Sequence, residues 1–387
     1  MKPPPDQASL TGKGKRLAFV STSAISLNQL MRGQLEFLHS KGAELDIYSG
    51  PPDDEIQRLK DRRVGHVYRV PFRRQPHLLW DAICLVWLTA LFLFRRYDAV
   101  IYSTPKAMLL GSIASFITAQ RCRIAWVRGR GYENFHGRKR QIYIALDRIT
   151  FRLSHKVLFV SPSLRAAYLE DGIDVAQKLL ESGFGSSNGV DLDRFRPLSA
   201  KERSDERARL RLAANDFVII VAGRIRKDKG AKEVLELSRR LSGVPNVRIL
   251  MVGHLEEPDL ATDIAKDDRI QLFPPCPDIE RFFQVADLHL FLSHREGFGN
   301  VAIEAAAVGV PTFGFDVVGV RDSVIRGATG ELFPFRDITA VEAGVRTAIA
   351  DPKQFKGRFS GARDAVAERF SQSTIWNTYA AIFLNGE

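Results

Sequence analysis

Short apolar runs alternate with longer stretches of helical periodicity along almost the whole chain, and this alternation constrains the fold more than any other feature. Strands that read as continuous apolar runs are buried on both faces, and helical connections between them require a parallel sheet. Near residues 188–200, turn residues and a proline precede a highly charged helical segment at 201–213. The pattern predicts an α/β protein with two Rossmann-like, doubly wound domains that face a central cleft.

The predicted strands fall into two sets. They are 16–21, 44–48, 66–70, 99–102, 123–127 and 156–160 in the first half, and 218–222, 247–252, 270–273, 288–292, 312–315 and 330–333 in the second. Residues 1–15, which hold three prolines, are expected to form a disordered lead-in. We place the domains at 16–197 and 198–369, followed by an amphipathic helix at 370–387 that begins with a Ser/Thr-rich cap.

Positive charge is concentrated in the first half of the chain. The 387 residues carry a net charge of +11, and residues 1–200 contain 30 Lys and Arg against 18 Asp and Glu. This asymmetry indicates an anionic partner, which at this point is nucleic acid, a membrane surface or a phosphorylated substrate. The 45% hydrophobic content excludes a disordered polyelectrolyte. Three widely spaced cysteines predict neither disulfides nor structural zinc, which fits a reducing cytosol.

One apolar segment, residues 78–94, has a pair of arginines on each side, at 73–74 and 95–96. It is shorter than the roughly 20 residues that a spanning helix needs, and Asp81 interrupts it. Two interpretations remain open. The segment is either a buried helix of the first domain or a helix that dips into one leaflet, with its tryptophans and arginines at the headgroup level.

Two loops that follow predicted strands contain candidate ligand-binding residues. Residues 223–230 read GRIRKDKG, in which Arg224 and Lys229 are able to clamp a diphosphate. Residues 293–300 read SHREGFGN and lead into a helix, whose first N–H groups suit phosphate. Glu296 precedes this helix and Glu304 lies within it, so each carboxylate is able to accept hydrogen bonds from a sugar diol. A solvated basic turn and a capped helix with exposed acids are the alternatives.

Together these residues resemble family 4 glycosyltransferases of the GT-B fold. The first half is similar to bacterial enzymes of that family that add a sugar to polyprenyl-diphosphate-linked glycans in capsule, O-antigen or N-glycan assembly. The broad match rests on Gly223-Arg224, Lys229-Gly230, residues 295–299, Glu304, Gly309-Val310-Pro311 and residues 188–197; the narrower one rests on residues 104–106, 109–111, 128–129, 132–133 and 160–164.

The resemblance implies roles for these positions. Arg224 and Lys229 would bind the donor diphosphate, Glu304 the ribose and Glu296 the transferred sugar. The backbone of Gly297, Phe298, Gly299 and Asn300 would add donor contacts, and the base would lie near residues 274–277. It also implies retention of the anomeric configuration, no metal or other cofactor, and a final helix that crosses back to the first domain. The first domain would bind the acceptor.

Acid–base chemistry is less well defined. Arg128 stands where many members of the family carry a histidine, so Glu133 becomes the best acid–base candidate. The alternatives are an ion pair of Glu133 with Arg128 or Arg130, and proton transfer to the leaving phosphate without a protein base. Lys106, Arg128 and Arg130 are the candidates for contact with the acceptor diphosphate.

We therefore expect a retaining glycosyltransferase that moves a hexose or N-acetylhexosamine from a nucleotide diphosphate sugar to a polyprenyl-diphosphate-linked glycan. It would act in bacterial surface polysaccharide synthesis, peripherally on the inner face of the cytoplasmic membrane. A nucleotide-sugar epimerase of the same fold is the alternative enzyme. A basic RNA-binding protein is disfavoured because the sequence lacks interleaved aromatic and basic residues, so nucleic acid is not expected as a partner.

Overall fold

The structure, a computed structural model, describes residues 14–73 and 75–385. Residues 1–13 of the expected lead-in, Arg74 and the last two residues of the final segment lie outside the described part. The chain divides into two compact units, Met1–Asn188 with Ser373–Glu387, and Gly189–Gln372.

The division falls earlier than the predicted position 198 because residues 189–197 pack within the second unit. The Val190 N–H donates to the Phe370 carbonyl at 2.8 Å, and the Gln372 N–H donates to the Val190 carbonyl at 3.1 Å. Phe195 is buried and packs edge-to-face on Phe283. These contacts make the proline-containing turn a part of the second unit.

In the described part of the first unit, seven parallel strands form one sheet in the order β3-β2-β1-β4-β5-β6-β7. The strands are β1 Arg16–Ser21, β2 Glu44–Ser49, β3 His66–Arg69, β4 Ala99–Ser103, β5 Arg123–Val127, β6 Lys156–Phe159 and β7 Leu179–Leu180. The order reverses at β1, as in a doubly wound sheet. The six predicted strands are confirmed, whereas β7 was not predicted because two residues carry no periodicity.

Helices connect these strands. They are α1 Ala24–Leu30, α2 Gln34–Ser40, α3 Asp53–Asp61, α4 Leu78–Leu93, α5 Pro105–Ile117, α6 Gly137–Leu153 and α7 Pro162–Glu170.

The described part of the second unit has six parallel strands in the order β10-β9-β8-β11-β12-β13. They are β8 Phe217–Ala222, β9 Val247–Val252, β10 Ile270–Phe273, β11 Leu288–Phe291, β12 Thr312–Phe315 and β13 Gly330–Phe333. All six were predicted, and the α/β class with two doubly wound sheets is confirmed. Here the order reverses at β8, so β8 and β11 are neighbours although two strands separate them in sequence.

The helices in the described part of the second unit are α8 Ala200–Arg209, α9 Ala231–Arg240, α10 Pro258–Ala265, α11 Glu280–Val285, α12 Asn300–Ala307, α13 Val320–Ser323, α14 Ile338–Ala350, α15 Pro352–Arg358 and α16 Ala362–Phe370. Helices α9, α10 and α14 bury apolar residues in the core of the sheet.

The last helix, α17 (Gln372–Ala380), and the π-helical turn Ala381–Asn385 contribute to the core of the first unit. The Trp126 ring lies 4.7 Å from the Tyr379 ring and 5.3 Å from the Phe383 ring, centroid to centroid. Phe383 also contacts Phe19 on β1, edge-to-face. The C-terminal segment is therefore held by aromatic packing on two strands of the first sheet, β1 and β5.

Helix α4 shows features of both interpretations of segment 78–94. Cys84, Leu88 and Phe92 are buried at a spacing of four residues, as in a helix that packs on a domain. The other side of α4 and the residue after it expose apolar side chains, which we call the apolar face of α4: Leu79, Ile83, Val86, Trp87, Leu93 and Phe94. Within residues 14–73 and 75–385, no helix combines the length and apolarity required to cross a bilayer.

We expect Phe383→Ala to destabilise the first unit by about 3 kcal/mol or more, because it leaves a cavity against Trp126 and Phe19. All four tryptophans lie in the first unit, so their fluorescence during urea unfolding reports on that unit. Phe94→Ala is the matched control, because Phe94 is 88% exposed and its loss should change the unfolding free energy little. Equal stability of the two variants would contradict this packing.

Candidate functional site

The two sequence motifs of the second unit meet at the carboxyl edge of its sheet. Because β8 and β11 pair in parallel, the loops that follow them emerge side by side. The His294 N–H donates to the Asp228 carbonyl at 3.1 Å, and Arg295 Nη2 lies 3.5 Å from the Asp228 carboxylate. The motifs at 223–230 and 293–300, far apart in sequence, therefore form one continuous surface.

Two glycines allow this close approach. Gly230, at φ +82°, precedes α9, and a Cβ there would lie 2.2 Å from the Leu292 carbonyl oxygen. Gly299, at φ +91°, precedes α12, and a Cβ there would lie 2.5 Å from the Phe291 ring. Both positions combine a left-handed backbone with a close neighbour, so only glycine fits. The glycine spacing of the motifs thus has a packing cause.

Lys229 and Glu296, which were each predicted to bind the donor, are in direct contact. Lys229 Nζ lies 2.6 Å from Glu296 Oε1 and donates to the Arg295 carbonyl at 3.3 Å. Each side chain keeps about a fifth of its surface exposed. A cation suited to phosphate and a carboxylate suited to hydroxyls therefore lie at one point of the sheet edge and neutralise each other.

Arg224 lies on the same loop but is more open. Its side chain is 48% exposed, and its guanidinium is 3.7 Å from the Glu256 carboxylate. Its neighbour Arg226 is held more tightly, with contacts of 2.9 Å to Glu256 and 3.0 Å to Asp228. Arg224 is thus the less constrained arginine of this loop and is able to reorient toward an anion.

Helix α12 presents backbone donors to the same edge. Gly299 is its N-cap residue, and within the described residues no side chain caps this helix end or places a carboxylate in its first turn. Its first N–H groups and the positive end of its dipole are suited to an anion. Phe298, by contrast, is buried against Phe370, so only its backbone is available to a ligand. Gly297 and Asn300 flank these positions.

Glu304 lies one turn into α12 in a largely buried setting. Burial raises the pKa of this carboxyl to about 7, with a smaller rise from the Glu280 charge and an opposing effect of Arg194. Arg194 itself is 2.6 Å from Glu280. Glu304 is therefore a buried carboxyl able to form strong hydrogen bonds to hydroxyl groups. The arginine and glutamate beside it were missed because they come from distant segments, and no local motif marks them.

A second pair that the sequence reasoning missed joins the loop after β11 to helix α9. His294 Nε2 lies 2.7 Å from Glu233 Oε1, near the start of α9. Burial raises the pKa of Glu233, but the hydrogen bond from His294 and the charges of His294 and Arg336 lower it below its ordinary value overall. Because Glu233 follows Gly230 by one helical turn, this contact fixes the loop after β11 against α9.

The candidate residues of the first unit differ in how they are paired. Lys106 Nζ is 2.7 Å from the Asp81 carboxylate and also donates to the Gln75 carbonyl. Arg130 pairs with Glu133 at 3.2 Å and with Asp171 at 3.0 Å. The Glu133 carboxylate is thus in the ion pair that was one alternative for it.

Arg128 is placed differently. Its guanidinium lies 3.7 Å above the centroid of the Trp126 ring, and its three nitrogens are buried without a hydrogen-bond partner among the described residues. Among those residues there is also no group of three or more His, Cys, Asp or Glu side chains that could hold a metal ion.

Comparison with known proteins identifies the family. Residues 27–179 match the family description "Glycosyl transferase 4-like domain" and residues 202–361 match "Glycosyl transferases group 1". The capsular polysaccharide biosynthesis glycosyltransferase CapM of Staphylococcus aureus is 31% identical over 360 residues, which cover 92% of this chain and 93% of CapM. This chain is a family 4-type glycosyltransferase.

Other similarities are partial or concern the fold alone. The D-inositol 3-phosphate glycosyltransferase of Nocardia farcinica is 40% identical over 161 residues, which are 37% of this chain and 34% of that enzyme. The crystal structure of Anabaena HepE in complex with UDP and glucose has a TM-score of 0.79 at 20% identity, covering 96% of this chain and 100% of HepE. WaaG, a glycosyltransferase involved in lipopolysaccharide biosynthesis, has a TM-score of 0.73 at 15% identity, covering 95% and 99%. These structures confirm the GT-B fold.

Glu304→Gln should stabilise the glycosyltransferase more at pH 8 than at pH 5. The pKa of Glu304 rises from 4.5 to about 7 on folding, so the folded chain binds the extra proton and loses stability as the pH rises through this range. The pH-dependent gain is up to about 3 kcal/mol, measured by urea unfolding followed by circular dichroism.

Glu202→Gln is the control for this measurement. Hydrogen bonds from Arg196 and Ser199 lower the pKa of Glu202 to about 2. Its contribution is complete above pH 4.5 and is lost only as the pH falls toward 2, so the effect of its substitution should not differ between pH 5 and pH 8. If the change in unfolding free energy caused by Glu304→Gln is also the same at pH 5 and pH 8, Glu304 does not titrate in the neutral range.

Proposed function

We propose that the chain transfers a hexose or N-acetylhexosamine, with retention, from a nucleotide diphosphate sugar to a polyprenyl-diphosphate-linked glycan in bacterial surface polysaccharide synthesis. The observation that carries the donor assignment is the contact of Lys229 with Glu296 at the uncapped start of α12. The similarity to CapM over nearly the full length supports a role in surface polysaccharide synthesis. HepE, which has the same fold, has been crystallised with UDP-glucose.

Binding of the donor would exchange partners within the Lys229–Glu296 pair. A diphosphate offers Lys229 a stronger anionic partner than one carboxylate, and Arg224 and the first N–H groups of α12 add to its binding. Glu296 is then free to accept hydrogen bonds from hydroxyls of the sugar, and Glu304 from the ribose. The same cations stabilise the charge on the departing diphosphate, so we propose that no metal is required.

The proton of the acceptor needs a destination in this reaction. Glu133 is already held in an ion pair with Arg130 at 3.2 Å. We therefore propose that the leaving phosphate oxygen takes the proton. The bond from the anomeric carbon to that oxygen breaks, and the acceptor oxygen forms its bond to the same face of that carbon.

The acceptor's lipid suggests where the enzyme works. The apolar face of α4 presents Trp87 at its middle and Phe94 at its end, and Arg73 lies just before the helix. Phe116 and Ile117, exposed at the end of α5, adjoin it, because Arg96 at the end of α4 donates to the Thr118 carbonyl at 2.6 Å. Exposed aromatic and aliphatic groups with nearby arginines are suited to an anionic bilayer surface. We propose peripheral attachment to the inner face of the cytoplasmic membrane through this surface.

Transfer is tested with a panel of nucleotide diphosphate sugars and a polyprenyl-diphosphate-linked sugar, with product mass as the readout. We expect Lys229→Met and Glu296→Gln each to lower kcat/KM about a hundredfold or more, because each removes a charged contact to the donor. Lys227→Met is the matched control. Lys227 lies on the same loop but pairs with Asp259 at 2.6 Å, so its loss should change kcat/KM less than about threefold.

Two outcomes would contradict this proposal. Near-normal transfer by Lys229→Met would place the donor elsewhere. Donor conversion that does not require the lipid-linked acceptor, and leaves that acceptor's mass unchanged, would instead identify the epimerase.

Membrane attachment is tested by sedimentation with vesicles that contain anionic lipid. Val86→Gln combined with Trp87→Gln should reduce the bound fraction about tenfold, because both side chains are more than half exposed on the apolar face of α4. Cys84 and Leu88, on the buried side, stay unchanged and keep the helix packed.

The matched control for vesicle binding is Leu169→Gln with Leu272→Gln, two exposed leucines that lie outside the apolar face of α4. The control should sediment as the unaltered chain does. Equal sedimentation of the α4 variant and the unaltered chain would refute attachment through α4.

A further inference from the structure

Arg128 has a buried guanidinium group for which the described residues of the first unit supply no anion. Its three guanidinium nitrogens are buried and have no hydrogen-bond partner among the described residues. Burial lowers its pKa to about 10, with a smaller opposing influence of Tyr379. The group therefore remains charged at neutral pH, although an unpaired buried charge is costly to a fold.

Another buried arginine of this chain, Arg207, makes four hydrogen bonds, and Arg128 differs from it. Arg207 donates to the Asp287 carboxylate at 2.8 Å and to the carbonyls of Val285, Ala214 and Asp216. Lys106 and Arg130, the other acceptor candidates, are also paired with carboxylates. Among the three candidates, only Arg128 has its donors unused.

The position of Arg128 is that of a ligand-binding residue. It follows directly after β5, at the carboxyl edge of the first sheet, where open parallel sheets bind ligands. Trp126 is fully buried and holds one face of the guanidinium plane, with the guanidinium carbon 3.7 Å from the ring centroid. Tyr379 of the C-terminal segment packs against the Trp126 ring, and the Tyr379 hydroxyl donates to the Ser186 carbonyl at 2.5 Å.

Trp126 covers the guanidinium group but accepts no hydrogen bond from it. Its N–H groups lie in the plane of the group, in a fork that matches two oxygens of a phosphoryl group. We propose that Arg128, held over the Trp126 ring, is the receptor for a phosphoryl oxyanion of a substrate. This deepens the proposed function and rests on it for the identity of the substrate, because both the acceptor and the donor carry a diphosphate.

Pyrophosphate is the first probe, and its binding does not depend on transfer. Titration calorimetry is performed on the Lys229→Met chain, in which the lysine of the second unit is absent. We expect Arg128→Met on this background to weaken pyrophosphate binding about thirtyfold, as expected for loss of a buried charged contact. Lys139→Met is the matched control, because Lys139 of the first unit also lies over an aromatic ring, that of Phe135, at 3.9 Å but is exposed. Equal binding with Arg or Met at 128 would overturn the proposal.

Thermal unfolding separates this role from a structural one. Because Arg128→Met removes an uncompensated buried charge and keeps the apolar contact with Trp126, we expect it to raise the melting temperature. A lower melting temperature together with unchanged pyrophosphate binding would make Arg128 a structural residue and refute the receptor.

Steady-state kinetics then identify the source of the oxyanion. A rise in the KM for the lipid-linked acceptor alone assigns Arg128 to the acceptor diphosphate, and a rise in the KM for the nucleotide sugar alone assigns it to the donor. Unchanged values of both constants would overturn the proposal. A chain that binds pyrophosphate through Arg128 yet transfers no sugar would refute the proposed function and leave the receptor intact.

Discussion

The parallel pairing of β8 with β11 is the constraint on which the proposed donor site depends. Only two residue pairs join these strands, yet they place two loops about 65 residues apart in sequence side by side. Gly230 and Gly299 then bring the backbone close enough for Lys229 to reach Glu296. Without that pairing, the lysine and the carboxylate would be two unrelated surface charges.

The sequence predicted most of the fold because most of the parallel strands are largely buried and read as apolar runs. The strands of the second unit were found with their ends correct to about one residue. The roles assigned to its two loops stay predictions. What it did not predict depends on tertiary contacts. The two-residue β7, the pairing of Glu233 with His294 and the arrangement of Arg194 and Glu280 beside Glu304 have no local signature.

The positive surplus of the first half has a specific distribution in the structure. Some of these cations form ion pairs within the first unit, as Lys106 does with Asp81 and Arg130 with Asp171. Net charge alone does not distinguish Lys106 and Arg130 from Arg128 as candidate anion-binding residues. The structure distinguishes them, because Lys106 and Arg130 are paired with carboxylates and Arg128 has no hydrogen-bond partner among the described residues. The apolar face of α4 could not be predicted from the sequence either. An almost entirely apolar segment has no polar side that would indicate which residues face water.

The central claim, that the Lys229–Glu296 pair opens to receive a diphosphate, is tested most directly by equilibrium binding of UDP. UDP carries the diphosphate without the sugar, so it should bind about tenfold more weakly to Lys229→Met than to the unaltered chain. Glu296→Gln should bind UDP at least as tightly as the unaltered chain, because the lysine loses its competing carboxylate. Equal UDP affinity of Lys229→Met and the unaltered chain would contradict the account.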